Sequence, residues 1–169
     1  MNPNKGESAA DWIAQASERT LSETLRDNAD EPLHAQLAAS IVRAAARKPI
    51  VTTQGLAEVV RAVAVRSRIA PDDTIKRVFQ AVRIAVNDEF KSLDTLLRHL
   101  PRALKPGGRA AILTFHSGED RRVKGAFKEG FELGIYARIS EEPIRASAEE
   151  RRDNPRSTSA KLRWAVRSG

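Results

Sequence analysis

Apolar residues in the first half of the chain recur at intervals of three and four, the spacing that keeps them on one side of a helix. From Ser8 to Ala16 the stripe is Ala9, Trp12, Ile13 and Ala16, with Ser8 and Asp11 placed as an N-cap pair. Thr20 to Asn28 continues with Leu21 and Leu25. His34 to Arg47 is the clearest helix. Leu37, Ile41, Ala44 and Ala45 share a side, Arg43, Arg47 and Lys48 suit the negative end of the dipole, and Pro49 stops it. Gln54 to Val65 repeats the pattern through Leu56, Val59, Val60 and Val63. A loop at 67–73 interrupts it, and Asp73 to Val86 restores it with Ile75, Phe79, Val82 and Val86. These residues predict a helical lobe over 1–86 with no strand signal.

The pattern then changes. Asn87 to Leu104 predicts one more amphipathic helix, with Pro101 expected to kink it or end it early. Pro106-Gly107-Gly108 reads as a turn, and Arg109 to Phe115 as a short buried strand. Helix, turn and strand in that order are the connection of a doubly wound sheet. Glu119 to Phe127 suggests a following helix, Tyr136 to Ile144 an edge strand, and Lys161 to Arg167 a closing strand through Leu162, Trp164 and Val166. Ala146 to Ser159 is polar and basic and reads as a loop with a helical start. The fold class predicted is α/β, mostly helical, with residues 87–169 supplying about three strands of a partial Rossmann-like sheet, fewer than such a sheet ordinarily holds.

Charge adds a partner. The chain of 169 residues has a net charge of +7. Six basic residues face two acidic ones between Arg61 and Arg83, and seven face three from Arg145 onward. Lys and Arg in such surplus displace counterions from phosphates, which favours a nucleic acid, although a solvated basic surface accounts for charge alone equally well. Cysteine is absent, which removes disulfides and thiolate metal sites. No apolar run approaches the roughly 20 residues of a membrane span, and the N-terminus has no signal-peptide core, so a cytoplasmic protein without a membrane partner is expected.

Three segments could carry chemistry. Phe115-His116-Ser117-Gly118-Glu119-Asp120-Arg121 directly follows the predicted strand, and ligands in open α/β sheets bind beyond the carboxyl ends of strands. The simpler reading is a helix start, with Ser117 as the cap and Glu119 and Asp120 complementing the dipole. Arg77, Gln80 and Arg83 lie on overlapping faces of one helix, suited to phosphate and base edge, or to a merely solvated face. Asn154 to Lys161 joins amides, hydroxyls and cations in a basic loop. No phosphate-cradling glycine loop and no metal-ligand spacing among His34, His99 and His116 is present.

Taken in order, these segments resemble the MraW/RsmH family, S-adenosylmethionine-dependent enzymes that methylate the N4 amino group of a cytosine in small-subunit ribosomal RNA. The family's FHSLEDR run after a PGG turn is FHSGEDR here. Its RTFQAIRI followed by N-S/D-E is RVFQAVRI at Arg77 to Ile84 and Asn87-Asp88-Glu89, and its NPRSRSAKLR is NPRSTSAKLR at Asn154 to Arg163. The opening MNPNKGESAADW is similar to a family stretch as well. The resemblance implies a helical lobe for substrate recognition inserted in a methyltransferase domain. It implies supporting catalytic roles for His116, Ser117, Glu119 and Asp120, and RNA contacts from Arg77, Gln80, Arg83, Arg121, Asn154, Arg156 and Lys161.

Departures shape the expectation. Gly118 stands where the family has leucine, which should loosen the start of the next helix, and Thr158 replaces an arginine. Met1 aligns well inside the family pattern. The glycine-rich cofactor loop, the acid for the ribose and the Asp-Leu-Gly motif are therefore expected outside this sequence, so S-adenosylmethionine should not bind to this chain alone. The leading expectation is an rRNA methyltransferase chain that needs a complementary half for activity, with open sheet edges that favour self-association. An inactive RNA-binding remnant and a structural, partner-binding helical protein are the other two readings. The positive surplus favours RNA over the last.

Overall fold

Ser8 opens the first helix of the chain, whose computed structural model describes residues 7–169. The stretch from Met1 to Gly6, part of the opening motif, lies outside the described residues. Two compact units divide the chain, one up to Glu89 and one from Phe90.

The first unit is helical. Helix α1 spans Ala9–Gln15, with Ser8 accepting a hydrogen bond from the Asp11 amide and donating to its carboxylate, as expected. Helices α2 (Glu18–Ala29), α3 (His34–Arg47), α4 (Thr53–Arg66) and α5 (Pro71–Val86) follow, each packed on two of the others in the cycle α2–α3–α4–α5. Leu21 and Leu25, Leu37 and Ile41, Val60 and Val78 are fully buried, each burial contributing about 1.5–3 kcal/mol. Ala38, Ala64 and Ala81 are equally buried, and their small side chains let the helices approach closely. Thr52 caps α4 through the Gly55 amide, and Pro71 at the first position of α5 supplies a preset φ where no donor is needed.

The second unit combines α6 (Glu89–Ala103), β1 (Arg109–Thr114), α7 (Ser117–Glu132), β2 (Tyr136–Ile139), β3 (Ile144–Arg145), α8 (Ala148–Asp153), a 3-10 turn at Pro155–Ser159, and β4 (Lys161–Arg167). The expected closing strand is in fact the central one: β4 pairs antiparallel with β1, β2 and β3. The sheet therefore has four strands, the fourth being the two-residue β3. Strands β1 and β2 run parallel to each other with β4 inserted between them, which the strand-by-strand pattern did not predict.

The single edge strand expected over Tyr136 to Ile144 is broken into β2 and β3. Pro143, which has no N–H to give a ladder, falls in the break, and Ser140 holds it by exchanging bonds with Trp164. Pro101 does not end α6 early. The carbonyls of Pro101 and Leu104 accept hydrogen bonds from Arg167 Nη1, which caps the helix from β4. The turn after α6 requires glycine at Gly107, where φ is +71°. One sheet face, with Ile112, Ala165 and Ile139, packs on Val123, Phe127 and Leu97 of α7 and α6. The opposite face keeps Leu113 52% and Ile144 55% exposed, and Phe115 just beyond β1 is 52% exposed.

Candidate functional site

Strand β1 ends at Thr114 and α7 begins at Ser117, so the whole strand-to-helix turn is Phe115 and His116. The helix cap is His116 and not Ser117, the residue expected from cap preferences. His116 keeps an extended backbone, φ −142° and ψ 164°, and its Nδ1 accepts from the Glu119 amide at 3.4 Å. Glu119 reaches back in return: its Oε2 accepts from the Phe115 amide at 2.9 Å, and its Oε1 lies 3.5 Å from His116 Nε2. This reciprocal pair fixes the imidazole and the carboxylate at the strand end in one arrangement.

Behind the turn, Asp120 is buried between two cations of β4. Its Oδ1 accepts from Arg163 Nε at 2.7 Å, and its Oδ2 from Lys161 Nζ at 3.1 Å and Arg163 Nη2 at 3.4 Å. Burial pushes the carboxyl up, but the bonds from Arg163 and Lys161 outweigh it and hold its pKa below the ordinary value. Asp120 is therefore an anion at neutral pH that orients its neighbours, with no proton to exchange. Arg163 is only 3% exposed and also donates from Nη1 to the Glu141 carbonyl at 3.2 Å. It was not among the expected site residues. The signal was available: with Lys161 it occupies alternate positions of a strand, so both point to one face.

Gly118 corrects another expectation. The helix start is not loosened, because Phe90 fills the space: a β-carbon at Gly118 would stand 2.6 Å from Phe90 Cζ. The Phe90 ring lies 5.8 Å from the His116 ring, and the Arg122 guanidinium sits 4.1 Å from its centroid while pairing with Asp94 at 3.0 Å.

The remaining expected residues divide into three groups. Ser117 and Arg121 are exposed on the first turns of α7. Asn154 and Arg156 are exposed on the segment leading into β4, where the Asn154 carbonyl accepts from the Ser157 amide at 2.9 Å. Ser157 itself is buried, and its Oγ has no hydrogen-bond partner among the described residues. His116 and Glu119 are thus paired with each other, and Asp120 is paired with Lys161 and Arg163.

Arg77, Gln80 and Arg83 belong to the helical unit and are tied into it. Arg77 Nε donates to Glu31 Oε2 at 2.6 Å, and Glu31, 1% exposed, also accepts from the Leu33 amide at 2.9 Å. Gln80 donates to the Asn28 carbonyl at 3.1 Å while the Asn28 amide donates to the Ala81 carbonyl at 3.2 Å, a reciprocal tie between α2 and α5. Arg83 makes a two-pronged pair with Glu89 at 3.0 and 3.1 Å. Their polar ends latch the lobe, and the Arg83 side chain stays half-exposed.

Among the described residues no group of His, Asp and Glu is arranged to hold a metal, and no helix is long and apolar enough to cross a membrane.

Comparison with known proteins is consistent along the chain. A family model described as the MraW methylase family matches residues 1–168. The chain is 46% identical to ribosomal RNA small subunit methyltransferase H 1 of Agathobacter rectalis, covering 99% of this chain and 50% of that protein. It is 43% identical to the protein of the same name from Lachnoclostridium phytofermentans, covering 99% and 48%. With ribosomal RNA small subunit methyltransferase H of Acidobacterium capsulatum the identity is 40%, covering 98% and 54%. The chain thus spans about half the length of the curated relatives it matches.

Proposed function

This chain belongs to the MraW methylase family, and on that premise we propose that it serves the methylation of small-subunit ribosomal RNA in the cytoplasm. In this reading the helical unit is the RNA-recognition lobe, and the unit from Phe90 is the last part of the methyltransferase sheet. The observation that carries it is the locked turn at the end of β1. His116 and Glu119 are presented at a strand end, where α/β enzymes place ligands, and the next residue, Asp120, ties the start of α7 to Arg163 and Lys161 of β4.

S-adenosylmethionine would supply the methyl group, and the residues described do not fit it. The turn joining β1 to α7 carries Phe115 and His116 where a phosphate- or cofactor-cradling loop needs glycines. Its Glu119 amide is already taken by His116, and the Glu119 carboxylate by Phe115. We therefore assign cofactor binding to a complementary methyltransferase half. Its docking place is the β1 edge, which no described strand pairs, together with the adjoining sheet face that exposes Leu113 and Phe115. Ser117, Arg121, Asn154 and Arg156 are the exposed groups proposed to meet RNA near that strand end.

The test is calorimetric titration of S-adenosylmethionine into this chain alone, then into this chain co-purified with the front half of the Agathobacter rectalis relative. Transfer of labelled methyl to small-subunit rRNA is followed in parallel. The reading expects binding and transfer only in the complex. Cofactor binding by the chain alone would remove the need for a second half. A stable complex that binds RNA but transfers nothing would favour the other reading, an RNA-binding module without catalysis, which the missing cofactor cradle also supports.

A further inference from the structure

On the helical unit a groove of about 560 Å3 runs between Gln36, Ser40 and Arg43 of α3 and Val63, Arg66 and Ser67 at the end of α4. It stays open because Ala35 and Ala39, in the same wall, carry side chains too short to fill it. Its size falls in the range of small-ligand sites, and its chemistry has one sign. Helix α3 carries no carboxylate along its length. Helix α4 carries only Glu58, which accepts from Gln54 at 3.2 Å, away from the groove wall. Arg43 is steadied along α3 by its Nε–H, which donates to the Ala39 carbonyl at 3.1 Å, and its Nη2 lies 3.4 Å from Ser40 Oγ. Arg47 stands one helical turn further along the same side. Arg66 has no hydrogen bond or ion pair among the described residues. Ser67 donates to Gln36 Oε1 at 3.4 Å, and Gln36 is exposed.

We propose that this groove binds a single-stranded segment of RNA, with phosphates on Arg43 and Arg66 and sugar hydroxyls on Ser40 and Gln36. The inference rests on the RNA reading above and moves the contact from α5 to the α3–α4 face. Arg77 and Arg83 of α5 are engaged with Glu31 and Glu89, whereas the Arg66 side chain has no partner among the described residues. An open groove of this volume suits a strand that can enter it. A duplex presents a convex backbone that would only touch the rim. Hydroxyl and amide donors set between two guanidiniums match the alternation of phosphate and ribose better than a run of carboxylates.

Fluorescence anisotropy of the whole chain, with a labelled 12-nucleotide single-stranded RNA of mixed sequence, tests this. The same RNA annealed to its complement and polyglutamate serve as competitors. The double variant Arg43→Ala/Arg66→Ala should weaken binding about tenfold and reduce the salt slope by about 1.4. Ser40→Glu, which sets a carboxylate beside Arg43, should weaken it comparably, and Arg19→Ala, on a paired surface arginine of α2, should leave it within about twofold. Far-UV circular dichroism should stay unchanged in all three, since the altered groups lie at the surface. Binding by the parent chain that neither groove variant alters would overturn the groove and leave the RNA reading standing. Absence of RNA binding by the parent chain would overturn both. Stronger competition by duplex or polyglutamate would overturn the assignment to a single strand.

Discussion

The ring of Phe90 occupies the space that any side chain at position 118 would need, with Cζ 2.6 Å from the ideal β-carbon position. The ring is held there by His116 on one contact and by the Arg122 guanidinium on another, so it has little freedom to withdraw. Gly118→Leu should destabilise the second unit by about 1–3 kcal/mol through overpacking. Phe90→Leu added to it should recover much of the loss, because the two positions share one volume. Urea denaturation of the parent, both single variants and the double closes the cycle. Additive losses would show that Phe90 and Gly118 are not complementary.

Removal of Asp120 should be costlier than removal of an exposed side chain of the same helix. Asp120→Ala strands the Arg163 guanidinium in the interior, an effect of roughly 3 kcal/mol, while Lys124→Ala should stay within about 0.5 kcal/mol. Thermal unfolding followed by circular dichroism distinguishes them.

The clamp also fixes a pH response. The folded pKa of Asp120 lies below the ordinary carboxylate value, so the unfolded chain takes up the proton first as pH falls. The stabilisation is complete above about pH 4 to 5 and is lost as pH drops through the folded pKa. Urea midpoints between pH 6 and pH 3 should therefore fall more steeply in the parent chain than in Asp120→Asn. Parallel curves would contradict the ion-pair account.

In the helical unit, Arg77→Ala leaves the buried Glu31 carboxylate with the Leu33 amide as its remaining partner and should cost about 3 kcal/mol. Arg83→Ala opens a half-exposed pair and should cost about 0–1 kcal/mol. Equal losses in a denaturant titration would show that the α2–α5 latch is no stronger than a surface pair.

Ser157→Ala removes a buried hydroxyl that has no partner within the described residues, so the free chain should lose no stability and gain up to about 1 kcal/mol. A clear loss would show that the Ser157 hydroxyl is hydrogen-bonded in the folded chain.

Helix positions were legible because burial on one side imposes a period of 3.6, and α3 was predicted from His34 to Arg47, as observed. The role of β4 was not legible. Alternation of Leu162, Trp164 and Val166 reports that the strand has two faces, but nothing in it reports which strands lie alongside. The cap of α7 misled for a different reason. Ser is the commoner cap, and only the extended backbone at His116 moves the helix start one residue earlier than Ser117 implies. Within the candidate site, the motif spacing brought His116 and Glu119 into view, while the 2.7 Å bond from Arg163 to Asp120 spans 43 positions, although the alternation of Lys161 and Arg163 marked a shared face. The pairing of Arg77 with Glu31 spans 46 positions, a separation over which local pattern carries no information.

The central place of β4 has a consequence for the order of assembly. Strands β1, β2 and β3 all precede the strand they pair with, so among the described residues their ladders must wait for Lys161–Arg167. The α2–α5 cycle closes from four helices consecutive in the chain. During synthesis the helical unit can reach its final form early, while the sheet assembles in a single late step around the last strand to arrive.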